Sequence, residues 1–282
     1  MPFYDLEPKE ITLRSKFHTS YPSSTDERKS NIKLAAKSID KTFIDVGGEF
    51  SFNRVVGERT EKRGYKPAKI IVGGEFVDGV GGGVCQVSST LYNAALLGGM
   101  TIIEYHPHSL PVSYVAPSFD AMVNSSYADL KFVNDTHNPI IIFAHATDST
   151  ITIEIYGEPM TSTFERKSVT VGEIPPPKEQ EIFDTENQYP DLYQGQSKVV
   201  RYSKAGLMSE GYLIEKQNGK IIRNRKIRTD KYNAVKGLIV HGTAEKQEII
   251  DDKNQLPYPD FEMVEIIYRK LLEKFLNNKK IL

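Results

Sequence analysis

The chain is poor in the features that would settle its function cheaply. It has one cysteine in 282 residues, Cys85, so no intramolecular disulfide can brace the fold. A lone thiol is a small buried hydrophobe, an intermolecular partner or a reactive group. There is no excess of charge of either sign: 36 Lys and Arg stand against 37 Asp and Glu. That argues against a nucleic-acid binder held by counterion release, which needs a basic face, so no nucleic acid is expected as a partner. The one dense basic run, Arg223 to Arg228 (RNRKIR), reads as a solvated strand edge. No apolar stretch is long enough for a transmembrane segment. The opening residues MPFYDLEPKEITLRSKFHT show no signal-peptide core, which leaves a cytoplasmic location open.

What is present is a folding composition, with 39% hydrophobic and 26% charged residues. Residues 11–21 alternate and predict a strand. Ser23 to Glu27 offer caps and first-turn acids for a helix running to about Asp40, with Ile32, Ala35, Ala36 and Ile39 on one face. Residues 86–98 space Leu91, Ala94, Ala95 and Leu97 as a second helix, ended by Gly98-Gly99. Strands are expected at Met100 to Tyr105, Val112 to Val115, Asp129 to Val133, Ile140 to Ala144 and Ile151 to Tyr156. Pro175-Pro176-Pro177 reads as a stiff connector. Beyond it residues 178–243 alternate without helical period, with a hairpin turn at Asn218-Gly219. From Pro259 the tail is an amphipathic helix.

The densest chemistry lies in GGGVCQVSSTLYN, Gly81 to Asn93. Glycines ahead of Cys85 allow a tight turn and leave the sulfur uncovered. A helix start lowers a thiol's pKa and offers free N–H groups for an oxyanion. Nucleophile at a helix start, histidine on a following strand, then Asp or Asn is the layout of papain- and transglutaminase-type thiol hydrolases. The partners follow in that order. His106 and His108 lie in EYHPHS, pointing to one side if extended, and Asp120 comes after them. The catalytic candidates are therefore Cys85 as nucleophile, His108 as base with His106 second, and Asp120 to orient the histidine. Gln86 and N–H groups near Ser88 would hold the oxyanion. The binding candidates are Gly82, Gly83, Ser88, Ser89, Tyr92, Asn93, Glu104, Asp129 and Asn134. Two rival readings stay open. One is a rigid, non-catalytic binding site with no cofactor. The other is zinc held by Cys85, His106 and His108.

These residues fall inside longer motifs. GEFSFN (Gly48 to Asn53), VGERTEKRGYKPA (Val56 to Ala68), GGGVCQVSSTLYNAAL (Gly81 to Leu96), HPHSLPVSYV (His106 to Val115), Asp120-Ala121 and YADLKFVN (Tyr127 to Asn134) closely resemble the VanW family, named for an accessory protein of some glycopeptide-resistance gene clusters. Val46-Gly47, Tyr105 and Pro117-Ser118-Phe119 depart from that pattern. Gly195, Asn218-Gly219, Arg225-Lys226-Ile227 and Val240-His241-Gly242-Thr243 resemble a G5 domain, which implies attachment to carbohydrate or wall polymer. The resemblance implies a setting at the bacterial cell wall or outside the cell, a link to vancomycin resistance, and peptidoglycan or another wall polymer as partner. It does not supply a reaction. The architecture expected is α+β. Residues 1–160 would form a mixed domain with a cysteine-bearing helix packed on a mostly antiparallel sheet. Residues 161–177 would be a proline-rich linker, 178–245 a small extended β domain, and 246–282 a tail with the amphipathic helix.

Overall fold

The structure, a computed structural model, describes residues 11–72, 75–245 and 261–277. The described chain is α+β, its strands mostly antiparallel and its helices few. It divides into two compact units: Met1–Ile182 with Lys198–Val240, and Phe183–Ser197 with His241–Leu282.

The first unit is built on a four-stranded sheet, ordered β1 (Thr12–Ser20), β9 (Thr150–Gly157), β8 (Ile140–Ala146) and β2 (Thr42–Ile44), every neighbouring pair antiparallel. β9 shows why it sits centrally. It alternates Ile151, Ile153 and Ile155, all fully buried, with half-exposed Thr150, Thr152 and Glu154. Helix α1 (Asp26–Ile39) is capped by Thr25, whose hydroxyl accepts from the Arg28 N–H, and it buries Ile32, Ala35, Ala36 and Ile39. Helix α3 (Val84–Leu97) packs on β1 and β9 and touches α1. It is buried nearly all round, polar residues included, so each of those must find a partner inside the protein. Thr90 bonds Thr19 at 2.8 Å and the Gln86 carbonyl at 2.6 Å. Ser15 on β1 donates to the Ala94 carbonyl at 2.7 Å. These bonds fix the helix in rotation as well as position.

A small sheet, β3 (Glu49–Ser51), β7 (Lys131–Val133) and β6 (Thr101–Glu104), carries the stacked Phe50 and Phe132 rings 4.9 Å apart. Helix α2 (Phe52–Val56) follows β3, and β4 (Pro67–Val72) with β5 (Glu75–Val80) forms a hairpin. The sheet of β10 (Thr163–Ile174), β13 (Gly206–Gln217) and β14 (Lys220–Tyr232) belongs to the same unit. Its Leu213 lies in one hydrophobic cluster with Leu91 and Tyr92 of α3, and Phe164 and Ile227 pack against that cluster.

A further sheet orders β11 (Gln180–Phe183), β15 (Leu238–His241) and β12 (Ser197–Arg201). In the second unit, Asp184 accepts from the Gln188 and Tyr189 N–H groups, both at 2.8 Å, and its carbonyl accepts from Thr243 Oγ1 at 2.7 Å. Helix α4 (Phe261–Asn277) also belongs to this unit. No described helix is long and apolar enough to cross a membrane.

Three expectations are corrected. Val112 to Val115 is irregular backbone, not a strand. Residues 161–177, expected as a connector, hold the twelve-residue strand β10, which pairs with β13 along its length; the proline run begins only where that strand ends. The basic run lies on β14 at a sheet edge, yet Arg228 at its end is 4% exposed. The expected tail beyond residue 245 lies outside the described residues except for α4.

Because α3 is anchored through Leu91, which has no exposed surface, Leu91→Ala should cost about 2–5 kcal/mol of stability by leaving a cavity. Urea unfolding should show a lower midpoint at unchanged slope.

Candidate active site

The cysteine is delivered by a loop that admits no side chain. A Cβ on Gly82 would fall 2.7 Å from the Lys69 carbonyl oxygen and 2.8 Å from the Ala68 carbonyl, both rigid backbone. Gly83 caps α3 at φ +105°, a left-handed conformation that suits glycine, and a Cβ there would meet Ile32 at 2.9 Å. Asn31, fully buried on α1, locks the loop: its amide donates to the carbonyls of Gly82 (3.0 Å) and Lys66 (2.9 Å) and accepts from the Lys66 N–H (2.8 Å). Cys85 is therefore the second residue of a helix whose start is held from both sides.

Cys85 is half-buried, and its Sγ lies 3.5 Å from the Val123 carbonyl. His108 stands beside it and acts on its ionisation. The His108 ring Nδ1 and its backbone N–H both reach Asp120 Oδ2, each at 2.7 Å. That double bond fixes the ring plane and leaves Nε2 as the nitrogen available to the thiol. The other Asp120 oxygen, Oδ1, accepts from Tyr232 at 2.6 Å, and the Asp120 carbonyl accepts from Arg228 Nη1 at 2.7 Å. His108 is 6% exposed and Asp120 1%. The carboxylate is thus removed from water and balanced by protein groups alone.

The electrostatics follow from that isolation. Burial raises the Cys85 pKa, but the hydrogen bond and positive charge of His108 outweigh it, with help from Arg59, and the thiol ends below its ordinary value. Burial pulls His108 down, yet its bonds to Asp120 and Cys85 win and push it up to about 9. Burial raises Asp120; its bond to His108 and the charges of His108 and Arg228 more than offset this and leave it lowered. Each shift favours the thiolate–imidazolium pair backed by a carboxylate over the neutral pair, relative to the same groups free in water.

Other expected residues serve elsewhere. His106 lies beyond the end of β6, not on a strand, and turns to Glu104 at 3.1 Å. The two histidines therefore do not face one side, because Pro107 between them lies in irregular backbone. Glu104 also pairs with Lys131 at 2.8 Å and accepts from the Asp129 N–H at 3.0 Å. Gln86 spends both amide donors on β1, at Thr19 Oγ1 (3.0 Å) and the Ser20 carbonyl (3.1 Å), while its oxygen accepts from Arg28 (2.8 Å); it has no donor left for an oxyanion. The Ser88 N–H lies inside the helix past the four free donors of the first turn, and its hydroxyl donates to the Ala121 carbonyl at 2.6 Å. Ser89 accepts from the Ala121 N–H at 2.9 Å, and Asn93 donates to the Phe119 carbonyl at 2.7 Å. Together these three pin residues 119–121 to α3, which is how Asp120 is aimed. Tyr92 is buried, its pKa pushed up to about 12 by burial, and it lies under Arg228 with Tyr105. Asp129 binds Ser51 Oγ (2.6 Å) and the Asn53 N–H (2.8 Å). Asn134 ties three carbonyls at residues 44, 45 and 138. Both side chains are spent on joints of the fold. Among the described residues no three His, Cys, Asp or Glu side chains converge as metal ligands would.

The sequence reading missed Arg28, Arg59 and Tyr114, whose charges act on Cys85 or respond to it. It also missed Arg228 and Tyr232, which reach Asp120 from more than a hundred positions away. Tyr114 and Arg59 lie within quoted motifs; nothing in local spacing points to the other three.

Fold and site together define an α+β protein with a helix-borne thiol set against a buried histidine–aspartate pair. Residues 27–156 match the family model described as VanW like protein, and residues 167–244 match that of the G5 domain. The chain is 42% identical over 152 residues to YoaR of Bacillus subtilis (54% of this chain, 50% of that protein). It is 31% identical over 133 residues to the vancomycin B-type resistance protein VanW of Enterococcus faecalis (45% of this chain, 48% of that protein). The chain thus spans about half the length of these relatives. A solved G5 domain of an IgA1 protease is similar at 17% identity and a TM-score of 0.20, covering 30% of this chain and 92% of that one.

Iodoacetamide should alkylate Cys85 with a midpoint below pH ~8.5, the ordinary thiol value, because the thiolate is the reacting form. His108→Ala removes the cation and leaves burial unopposed, so its midpoint should move above that value. Mass-spectrometric labelling rates across a pH series check both.

Proposed function

We propose that this protein is a cell-wall-associated thiol enzyme acting on an amide of peptidoglycan peptides, as a hydrolase or acyl transferase. The observation that carries the reading is the Asp120–His108–Cys85 line, in which one buried carboxylate oxygen holds both the ring and the backbone of the histidine that acts on the sulfur. That is the orienting function a nucleophile–base–acid set requires, in the order of papain- and transglutaminase-type layouts. A non-catalytic binding site has no need of a base held so tightly against a thiol. The wall setting is supported by the G5 segment, which implies attachment to wall polymer, and by the relative whose name is vancomycin B-type resistance protein. An extracellular or wall location follows from the same two points.

The Cys85 thiolate attacks the amide carbonyl carbon, forming a C–S bond and moving the carbonyl π pair onto oxygen. The oxyanion lies toward the start of α3, where Val84 and Gln86 N–H groups close on Gly81 and Gly83 and the Cys85 N–H is the remaining first-turn donor. His108 then gives its Nε2 proton to the leaving nitrogen as the C–N bond breaks, leaving a thioester on Cys85. Water, or an amine in the transferase case, attacks the thioester while His108 takes up the attacker's proton. Cys85 leaves as thiolate and the imidazolium is restored.

Incubating the full chain with purified muropeptides should yield cleaved or exchanged peptides and a transient covalent adduct on Cys85, both visible by mass spectrometry. Cys85→Ala should lower turnover by about a thousandfold or more at an unchanged melting temperature. Undiminished turnover in Cys85→Ala, or retained binding of muropeptides with no bond broken in the wild type, would overturn the reading.

A further inference from the structure

The residues that finish the site come from the other family segment. Residues 27–156 supply Cys85, His108 and Asp120, while β14 lies within the G5 segment, residues 167–244. Yet β14 reaches Asp120 directly. Tyr232, with no exposed surface, donates its hydroxyl proton to Asp120 Oδ1 at 2.6 Å and accepts from the Ser118 N–H at 2.7 Å. Burial, followed by the nearby Asp120 charge, raises its pKa, so the phenol stays protonated and keeps donating. Arg228 donates to the Asp120 carbonyl at 2.7 Å and sets Nη2 3.6 Å from Oδ1, while its Nε is held by Asp230 at 2.6 Å. The Asn233 N–H donates to the Ser109 carbonyl at 2.7 Å, beside His108, and Ser209 on β13 bonds Ser118 at 2.6 Å. Five hydrogen bonds and one ion pair from β13, β14 and the residue after β14 thus converge on residues 109, 118 and 120.

The chemistry explains why they fall there. Asp120 is buried, and a buried carboxylate without enough partners takes up a proton. His108 satisfies only Oδ2. Oδ1 receives its hydrogen bond from Tyr232 and its second positive charge from Arg228. Without them Asp120 would lose hold of its charge and angle, and His108 would lose the group that keeps it an imidazolium.

We propose that β14 of the G5 segment supplies the positioning residues of the thiol site, Tyr232 and Arg228, which act on Cys85 through Asp120 and His108. The two family segments therefore build one site, and the G5 segment of this chain does more than attach it to a surface. The proposal rests on the thiol reading above.

The test uses the full chain and the alkylation midpoint of Cys85, which a merely structural contact would not move. The charged and titratable groups facing Cys85 are His108, Arg59, Arg28 and Tyr114, and those facing Asp120 are His108, Arg228, Tyr232 and Tyr114. Of these only Arg228 and Tyr232 are altered. Tyr232→Phe, which keeps the ring and removes the donor, should raise the midpoint by roughly half a pH unit or more. Arg228→Lys, which keeps the charge and loses the fork, should raise it less. Ser209→Ala, which breaks only the bond to Ser118, should leave it where it was. A folded Tyr232→Phe and Arg228→Lys with the wild-type midpoint would overturn the proposal while leaving the thiol reading intact. If neither folds, β14 is a core strut and the positioning role is likewise rejected. A wild-type midpoint at the ordinary thiol value would instead sink the thiol reading itself.

Discussion

A carboxylate enclosed by protein must be balanced by protein, and Asp120 is enclosed almost completely. One oxygen takes two bonds from His108, the other takes one from Tyr232, and the carbonyl of the same residue takes one from Arg228. Remove this charge and the histidine keeps only the sulfur to hold it protonated against its burial. Remove its partners and the charge itself becomes costly. The rest of the site is arranged to keep the residue aimed. Ser88, Ser89 and Asn93 on α3 hold the backbone on either side of it, and α3 is in turn held by β1 through Thr90, Gln86 and Ser15.

This dependence explains a pattern in the side chains of α3. A helix buried on every face would ordinarily be apolar. Here one turn after another carries Gln, Ser, Ser, Thr and Asn, each spent on a neighbouring backbone or hydroxyl. The polar residues cost little once satisfied, and they give directional contacts that leucines could not. The thiol at the head of the helix inherits that rigidity, helped by a glycine loop too tight for any Cβ at Gly82.

Local signals in the sequence carried much of this. The α1 cap and apolar face, the start of α3 within two residues, the alternation of β9 and the hairpin at Asn218-Gly219 all follow from short-range rules, and the structure has each of them. Chain order alone put Cys85, His108 and Asp120 on one candidate list. What local rules could not see was direction and distance. His106 and His108 looked equivalent because an extended run would align them, but the backbone there is irregular and they part toward Glu104 and Asp120. Gln86 looked like an oxyanion donor because it follows the cysteine, whereas its amide is consumed on β1. The proline run drew attention away from Thr163–Ile174, whose pairing with β13 depends on residues some forty positions later. Arg228 read as one more surface cation because burial through tertiary contact leaves no trace in a charge run.

The fold holds a single thiol whose ionisation is set by His108, Val123 and Arg59, and His108 is held by an Asp120 that β14 contacts in turn. Such a group doubles as an intrinsic gauge of assembly. Any event that loosens β14 from residues 109–120, whether a cut in the chain, a wall ligand pulling on the outer strands or a partly folded nascent chain, would register as a change in how readily one sulfur ionises. On the proposed reading the thiol site would be silent until both family segments were in register, without any separate switch.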